Sequence, residues 1–198
     1  MNPESLSTLA NPKVALDAIL NELITLSQAI DPDQLNQAAG LLEERYRHHQ
    51  KVFLAGAGRS GLVASLFANR LVHLGFSVFR TGEVTAGPIE KDDLLIIVSG
   101  SGKTTTLLEL ARKAISVGAR LLVITLNESS PLSKSAAIRI VLPGTTRLMQ
   151  ENSFSSIQPV GSCFEQLAFL ACETLVVVLQ QRLHLSDEDL LSRHANLE

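Results

Sequence analysis

The sequence predicts an α/β protein, a three-layer αβα sandwich around a parallel sheet of about five strands, with helices at the N-terminal end. Three observations predict it. Five short apolar runs alternate with stretches of helical period, the pattern of strands joined by crossover helices. The strongest runs, Leu94 to Val98 and Leu121 to Thr125, are apolar at almost every position, as strands covered on both faces are. Two of the runs lead into turns rich in glycine and serine that open helices, at the strand ends where such sheets bind ligands.

In chain order, Leu16, Ile19, Leu20, Leu23, Leu26 and Ile30 recur at three- and four-residue steps, which predicts a helix from about Val14 to Ile30. Asp31-Pro32 breaks it, and Asp33 to His49 reads as a second helix. Residues 1–50 therefore form a helical segment that packs on the main domain, residues 51–198, or on a neighbouring subunit. In that domain Val52-Phe53-Leu54-Ala55 is the first strand, followed by a glycine turn and a helix from about Ser60 to Leu74. Val78-Phe79, Leu94 to Val98, Leu121 to Thr125 and Ile138 to Leu142 are the later strands. Helices are expected from Thr104 to Val117, briefly from Leu132 to Ala137, and from Ser162 to Arg182, with a polar loop from Pro143 to Ser156. The helix from Ser162 is apolar nearly all round, so it is expected to be buried or to lie in a subunit interface.

Composition removes several classes. The 198 residues are 45% hydrophobic and 19% charged with a net charge of −3, which argues for a globular chain and against nucleic acid as a partner. Tryptophan is absent and Tyr46 is the only tyrosine, so no aromatic platform for stacking bases is expected. Met1 to Pro12 lacks the profile of a secretion signal. The longest apolar run, Leu167 to Leu179, is interrupted by Glu173, so no membrane span is expected. Cys163 and Cys172 share one helix and would lie about 13 Å apart along it, beyond disulfide reach. That fits a reduced, cytoplasmic setting. No His or Cys stands at zinc-ligand spacing.

Gly56-Ala57-Gly58-Arg59-Ser60-Gly61 follows a strand and opens a helix, matching the dinucleotide fingerprint. The acid that would hold a ribose is missing: the second strand ends at Arg80, and Glu83 comes late. An NADP enzyme using Arg80 and a purely structural glycine turn both stay open. Ser99-Gly100-Ser101-Gly102-Lys103-Thr104 ends like a Walker A loop, but Ile97 stands where the motif needs its first glycine, which excludes ATP hydrolysis of that type. Taken together, the two turns offer the hydroxyls of Ser60, Ser99, Ser101 and Thr104 and backbone N–H groups at two helix N-termini. That set suits a single phosphate dianion, although the same serines and threonines also suit helix caps. In Gln158-Pro159-Val160-Gly161-Ser162-Cys163-Phe164-Glu165-Gln166, Glu165 is either the far half of a Ser162-x-x-Glu165 capping box or a carboxylate base on a first helical turn.

With these segments together, the chain resembles the sugar isomerase (SIS) domain family, and within it the 6-phospho-3-hexuloisomerases, from about Val52 onward. The glycine turns carry the general likeness. Gln158-Pro159 with Phe164-Glu165-Gln166, and the ending Arg193-His194-Ala195-Asn196-Leu197-Glu198, carry the specific one. The resemblance implies a flavodoxin-like SIS fold, a small phosphorylated sugar as substrate, and no metal or organic cofactor. It also implies a homo-oligomer, dimer or tetramer, that interconverts D-arabino-3-hexulose 6-phosphate and fructose 6-phosphate through an enediolate. It further implies Glu165 as base, with phosphate binding at Ser60 and across Ser99, Gly100, Ser101, Gly102, Lys103 and Thr104. Arg59 and Lys103 are candidate cations for phosphate or enediolate, and His194 is a candidate proton shuttle in its own or a neighbouring subunit's site. The chain departs from the family's usual residues at Lys103, Val160 and Ala86-Gly87. An isomerase of another phosphosugar and a non-catalytic sugar-phosphate sensor are the alternatives.

Overall fold

The computed structural model describes residues 9–144, 156–159 and 161–196. Five strands, β1 (Val52–Gly56), β2 (Val78–Arg80), β3 (Leu94–Val98), β4 (Arg120–Thr125) and β5 (Ile138–Val141), form one parallel sheet in the order β2-β1-β3-β4-β5. The order reverses between β1 and β3, because the chain runs outward to β2 and then crosses back. In such sheets the crevice at that switch point, beyond the strand carboxyl ends, is where ligands sit.

Helices cover both faces. On one side, α2 (Pro32–Arg47), α3 (Gly58–His73) and α6 (Ser162–Arg182) pack on Val52, Leu54, Leu94, Ile96 and Leu122, and α1 (Pro12–Ser27) packs outside them against α6. On the other side, α4 (Thr105–Ser116) and the short α5 (Pro131–Ser135) bury Phe53, Leu95, Ile97, Leu121 and Val123. The split follows from the strand period of two: alternate residues of β1 and β3 enter different cores. Because both sides are covered, every residue of β3 is buried.

The helix limits differ from the sequence reading by a turn or less, for local reasons. α1 starts at Pro12 because the Asn11 side chain accepts from the Lys13 and Val14 amides, and it ends at Ser27, ahead of the expected Ile30. α2 starts on Pro32, with Asp31 as its cap. The described residues hold one helix beyond the six expected, α7 (Asp187–Ser192), where Ser186 and Asp189 form a complete capping box. That signal was present in the sequence but lacked a long apolar run behind it. The polar loop expected from Pro143 to Ser156 falls mostly outside the described residues.

α6 is, among the described residues, the one helix long and apolar enough to cross a membrane, yet half of its most apolar stretch is buried in this domain. Cys163 and Cys172 lie on that buried side and are unpaired. Burial, with the Glu22 carboxylate second, pushes the Cys163 thiol up to about 11, and burial also pushes the Cys172 thiol upward. Both are inert packing residues near neutral pH.

Buried polar groups at the sheet's amino edge tie the strand starts together. Asp93, 3% exposed, accepts from the Lys51 amide at 2.9 Å and the Glu90 amide at 2.8 Å. Arg45, equally buried, donates to Gln50 and to the Asp92 carbonyl. At the far edge, Gln34 of α2 accepts from the Val141 amide at 2.7 Å, capping a sheet edge that would otherwise lie open. Asp93→Ala leaves two amides without partners and is expected to lower unfolding free energy by about 2–4 kcal/mol. Urea denaturation followed by circular dichroism measures it, and because Asp93 lies at the edge away from the switch-point crevice, ligand affinity of the folded protein should not change.

Candidate active site

The first turn is built by close approach. A Cβ on Gly56 would lie 2.7 Å from the Ser60 carbonyl oxygen, and one on Gly61 would lie 2.7 Å from the Gly56 carbonyl oxygen. Only glycine at both positions lets α3 start directly on the end of β1. Arg80, which kept a dinucleotide 2′-phosphate in view, instead donates to the Gly61 carbonyl at 2.7 Å. Its guanidinium braces the first turn of α3.

The second turn, Ser99 to Thr104, is fastened from behind. The Gly100 carbonyl accepts from the Leu126 amide and from Thr125 Oγ1, both at 3.2 Å, and the Gly102 carbonyl accepts from the Leu132 amide. Ser99 Oγ accepts from the Gly102 amide at 3.2 Å, and Ser101 Oγ accepts from the Lys103 amide at 3.3 Å. Gly102 has φ of 62°, and a side chain there would run into Ser130, the cap of α5. This glycine is therefore a buried hinge under the turn.

A cleft of about 180 Å³ opens between the two turns and the start of α6. Ser60, Ser99, Gly100, Ser101 and Thr104 line it, together with Phe164 and Glu165. Three helices begin here, α3 at Ala57, α4 at Thr104 and α6 at Gly161, and none has a side-chain cap bond among the described residues. The other four helices among the described residues, α1, α2, α5 and α7, are each capped, by Asn11, Asp31, Ser130 and Ser186. The first amides of a helix have no partner within it. At this cleft the Ser162 amide donates to the Pro159 carbonyl at 3.1 Å, no side-chain cap takes the others among the described residues, and the positive ends of three helix dipoles face the opening.

The geometry removes the capping-box reading of Glu165. α6 is N-capped by Gly161 in the left-handed conformation at φ of 85°, so Ser162 is already its first residue. The Glu165 carboxylate accepts instead from Arg59 Nε at 3.1 Å, across a gap of 106 residues in sequence. Nor do the cleft hydroxyls serve as helix caps in the expected way: Ser60 lies inside α3, and Thr104 makes no cap bond.

Of the residues singled out from sequence, Ser60, Ser99, Gly100, Ser101, Thr104 and Glu165 come together in the cleft. Arg59 stands on its lip, and Gly102 lies beneath the turn. Lys103 is exposed and does not line the cleft. His194 is stacked on His73 with ring centroids 4.6 Å apart. His73 ends α3, about 21 Å down that helix from Arg59, so within one chain His194 is remote from Glu165. Sequence reasoning quoted Gly161 without reading its role: its φ of 85° is a conformation that favours glycine, and the Arg59–Glu165 pair lies beside its bare α carbon. A glycine directly before a helix was the available signal.

Comparison with known proteins supplies relatives for this arrangement. The SIS domain family model matches residues 45–171. A 3-hexulose-6-phosphate isomerase of Bacillus subtilis is 38% identical over 180 residues, covering 91% of this chain and 95% of the relative. One from Mycobacterium gastri is 36% identical over 183 residues, covering 92% and 89%. A crystal structure of a Methanococcus jannaschii protein, from which a molecular function of 3-hexulose-6-phosphate isomerase was inferred, superposes with a TM-score of 0.77 at 31% identity. That match covers 93% of this chain and 99% of the other.

The fastening of the second turn is open to test. Thr125 is fully buried, donates to the Gly100 carbonyl and accepts from the Asn127 amide at 3.2 Å. Thr125→Val keeps its volume and removes both bonds, so it should cost about 1–3 kcal/mol of stability. Calorimetric titration with inorganic phosphate should show weaker binding in the folded variant, because the loosened turn is the one that lines the cleft.

Proposed function

The chain belongs to the SIS domain family, and on that premise we propose that its cleft binds the phosphate of a hexulose 6-phosphate and that Glu165 shuttles the proton of the isomerisation. The protein is a sugar-phosphate isomerase, with D-arabino-3-hexulose 6-phosphate and fructose 6-phosphate as its pair of substrates. One observation carries the reading: the three helices that open on the cleft are the uncapped ones, and the carboxylate of Glu165 stands among them.

The phosphate is held by the hydroxyls of Ser60, Ser99, Ser101 and Thr104 and by the Gly100 and Ser101 amides, since the Ser99, Gly102 and Lys103 amides of the same turn already donate within the protein. It lies away from the reacting carbons, so its binding energy serves to orient them. From the 3-ketose, Glu165 removes the proton on C2, and the C2–C3 enediolate forms as the C3 carbonyl becomes an oxyanion. The hydroxyl proton passes from O2 to O3, and Glu165 returns its proton to C3, leaving a carbonyl at C2. The carbon skeleton gains and loses no electrons overall, so no redox partner enters. The helix N-termini at the cleft face the charge that develops on the enediolate.

A second copy of the chain completes the site in this reading. α3 and α6 run side by side in the same direction, joined by Arg59–Glu165 at the cleft end and by Arg70–Glu173, at 3.2 Å, further down. Between and beside these pairs Leu62, Leu66, Leu170 and Val177 are exposed, Leu62 by 66%. Such an apolar face on a soluble enzyme marks an interface. A two-fold axis across it turns one copy end for end. His194 of the partner then approaches the Arg59–Glu165 end and is placed to move the proton between O2 and O3. The setting is the cytoplasm, with both thiols reduced.

The reaction is tested by a coupled assay in which ribulose 5-phosphate and formaldehyde with a hexulose-phosphate synthase supply substrate and fructose 6-phosphate is read out. Wild-type turnover is expected, and Glu165→Gln should lower kcat by at least about 100-fold with the fold retained. Absence of wild-type turnover would end the hexulose assignment. For the shared site, Glu165→Gln and His194→Ala are co-expressed. Hybrid dimers then contain one intact site, so mixing should recover about a quarter of wild-type activity. A monomer by light scattering, or no recovery, would rule out the partner's contribution.

A further inference from the structure

Arg59 offers the cleft a cation, but its geometry is that of a different device. The side chain is 58% exposed on the lip, whereas Glu165, its partner, is 18% exposed and lines the cleft. Arg59 Nε meets Glu165 Oε2 at 3.1 Å. The guanidinium lies over Gly161, where a Cβ would come within 2.7 Å of Nη2 and 3.4 Å of Glu165 Oε1. The left-handed φ of Gly161 at the start of α6 calls for glycine there, and the two groups meet over its bare α carbon.

We infer that Arg59 is a positioning residue for the Glu165 carboxylate and not a ligand of the substrate phosphate. It anchors Oε2 and leaves Oε1 as the oxygen that meets the substrate carbon. An exposed ion pair contributes little to stability, so stability alone does not account for a contact that joins two helices at the mouth of the cleft through the carboxylate that lines it. A base has a stringent geometric need: a carboxylate free to rotate about its side-chain bonds spends little time in the reactive orientation, and a misplacement of about 1 Å costs about 100-fold in rate. The three uncapped helix starts supply the anion site without this side chain. The inference rests on Glu165 acting as the base of the isomerisation.

The test separates holding a base from holding a phosphate. In Arg59→Gln, kcat should fall by about 10- to 100-fold, while KM and the inhibition constant of inorganic phosphate stay within about threefold of wild type. Arg59→Lys should restore part of the loss. In a Glu165→Gln background, Arg59→Gln should cost nothing further, because the two act as one unit. A tenfold rise of KM and of the phosphate constant with kcat retained would make Arg59 a phosphate ligand and overturn the inference. An unchanged kcat would reduce the contact to a surface ion pair. A readout without turnover keeps the inference distinct from the isomerase assignment. In protein labelled with carboxyl-13C glutamate, the Glu165 resonance, identified by its loss in Glu165→Gln, should move in Arg59→Gln. If it does not move, the positioning role is wrong even if the enzyme is an isomerase. If it moves in a protein that never turns over hexulose phosphate, the contact stands and the assigned reaction falls.

Discussion

The parallel register of β1, β3 and β4 is the constraint on which the rest depends. Gly56 pairs with Val98 and Val98 with Ile124, so three strands end level at one edge of the sheet. Because the strand order reverses between β1 and β3, the turns after those two strands face each other across a gap instead of lying over neighbouring helices. A shift of one residue in either pairing would turn the buried side chains to the wrong face and pull the turns apart. The glycines at 56 and 61 and the Thr125 brace refine the meeting of the turns; the register creates it.

α6 joins the two levels of the structure. Its inward side, including Leu167, Ala168, Ala171 and Leu175, is part of the larger core, and its first turn carries Glu165. The proposed base therefore sits on an element whose position is fixed by core packing, as suits a group that must be held in one orientation. Glu22 of α1 accepts from the Ile157 amide at 3.3 Å and from Gln158 Nε2 at 2.9 Å, steadying the approach to α6 from the N-terminal helices.

Much of this was legible in the sequence because the signals were local. All five strands were apolar runs bounded by turns, and the longest helix was read from Ser162 to Arg182, the limits it has. Ser60, Ser99 and Glu165 were recognisable because each stood next to a strand end or a helix start. What the sequence did not show depended on distance in space. Ser162-x-x-Glu165 has the spacing of a capping box, and only the left-handed Gly161 and the arrival of Arg59 from another helix show that Glu165 is used otherwise. Likewise Lys103 follows the second glycine-serine turn in sequence but is exposed and outside the cleft lining, just after Gly102 turns the chain at positive φ. α7 was hidden for the opposite reason: its capping box was plain, but six residues give too little period to recognise.

The uncapped starts of α3, α4 and α6 also bear on how long the molecule survives. A good N-cap contributes about 0.5–2 kcal/mol, so three helices without a side-chain cap forgo part of that stability at their first turns. An occupied cleft returns it, since a ligand that binds only the folded chain adds stability as the logarithm of one plus the ratio of its concentration to its dissociation constant. A chain of ordinary marginal stability, exposed to cellular proteases that act on its unfolded fraction, would then be longest-lived when its own metabolite is plentiful. In that respect occupancy of the cleft would set how long each folded chain lasts.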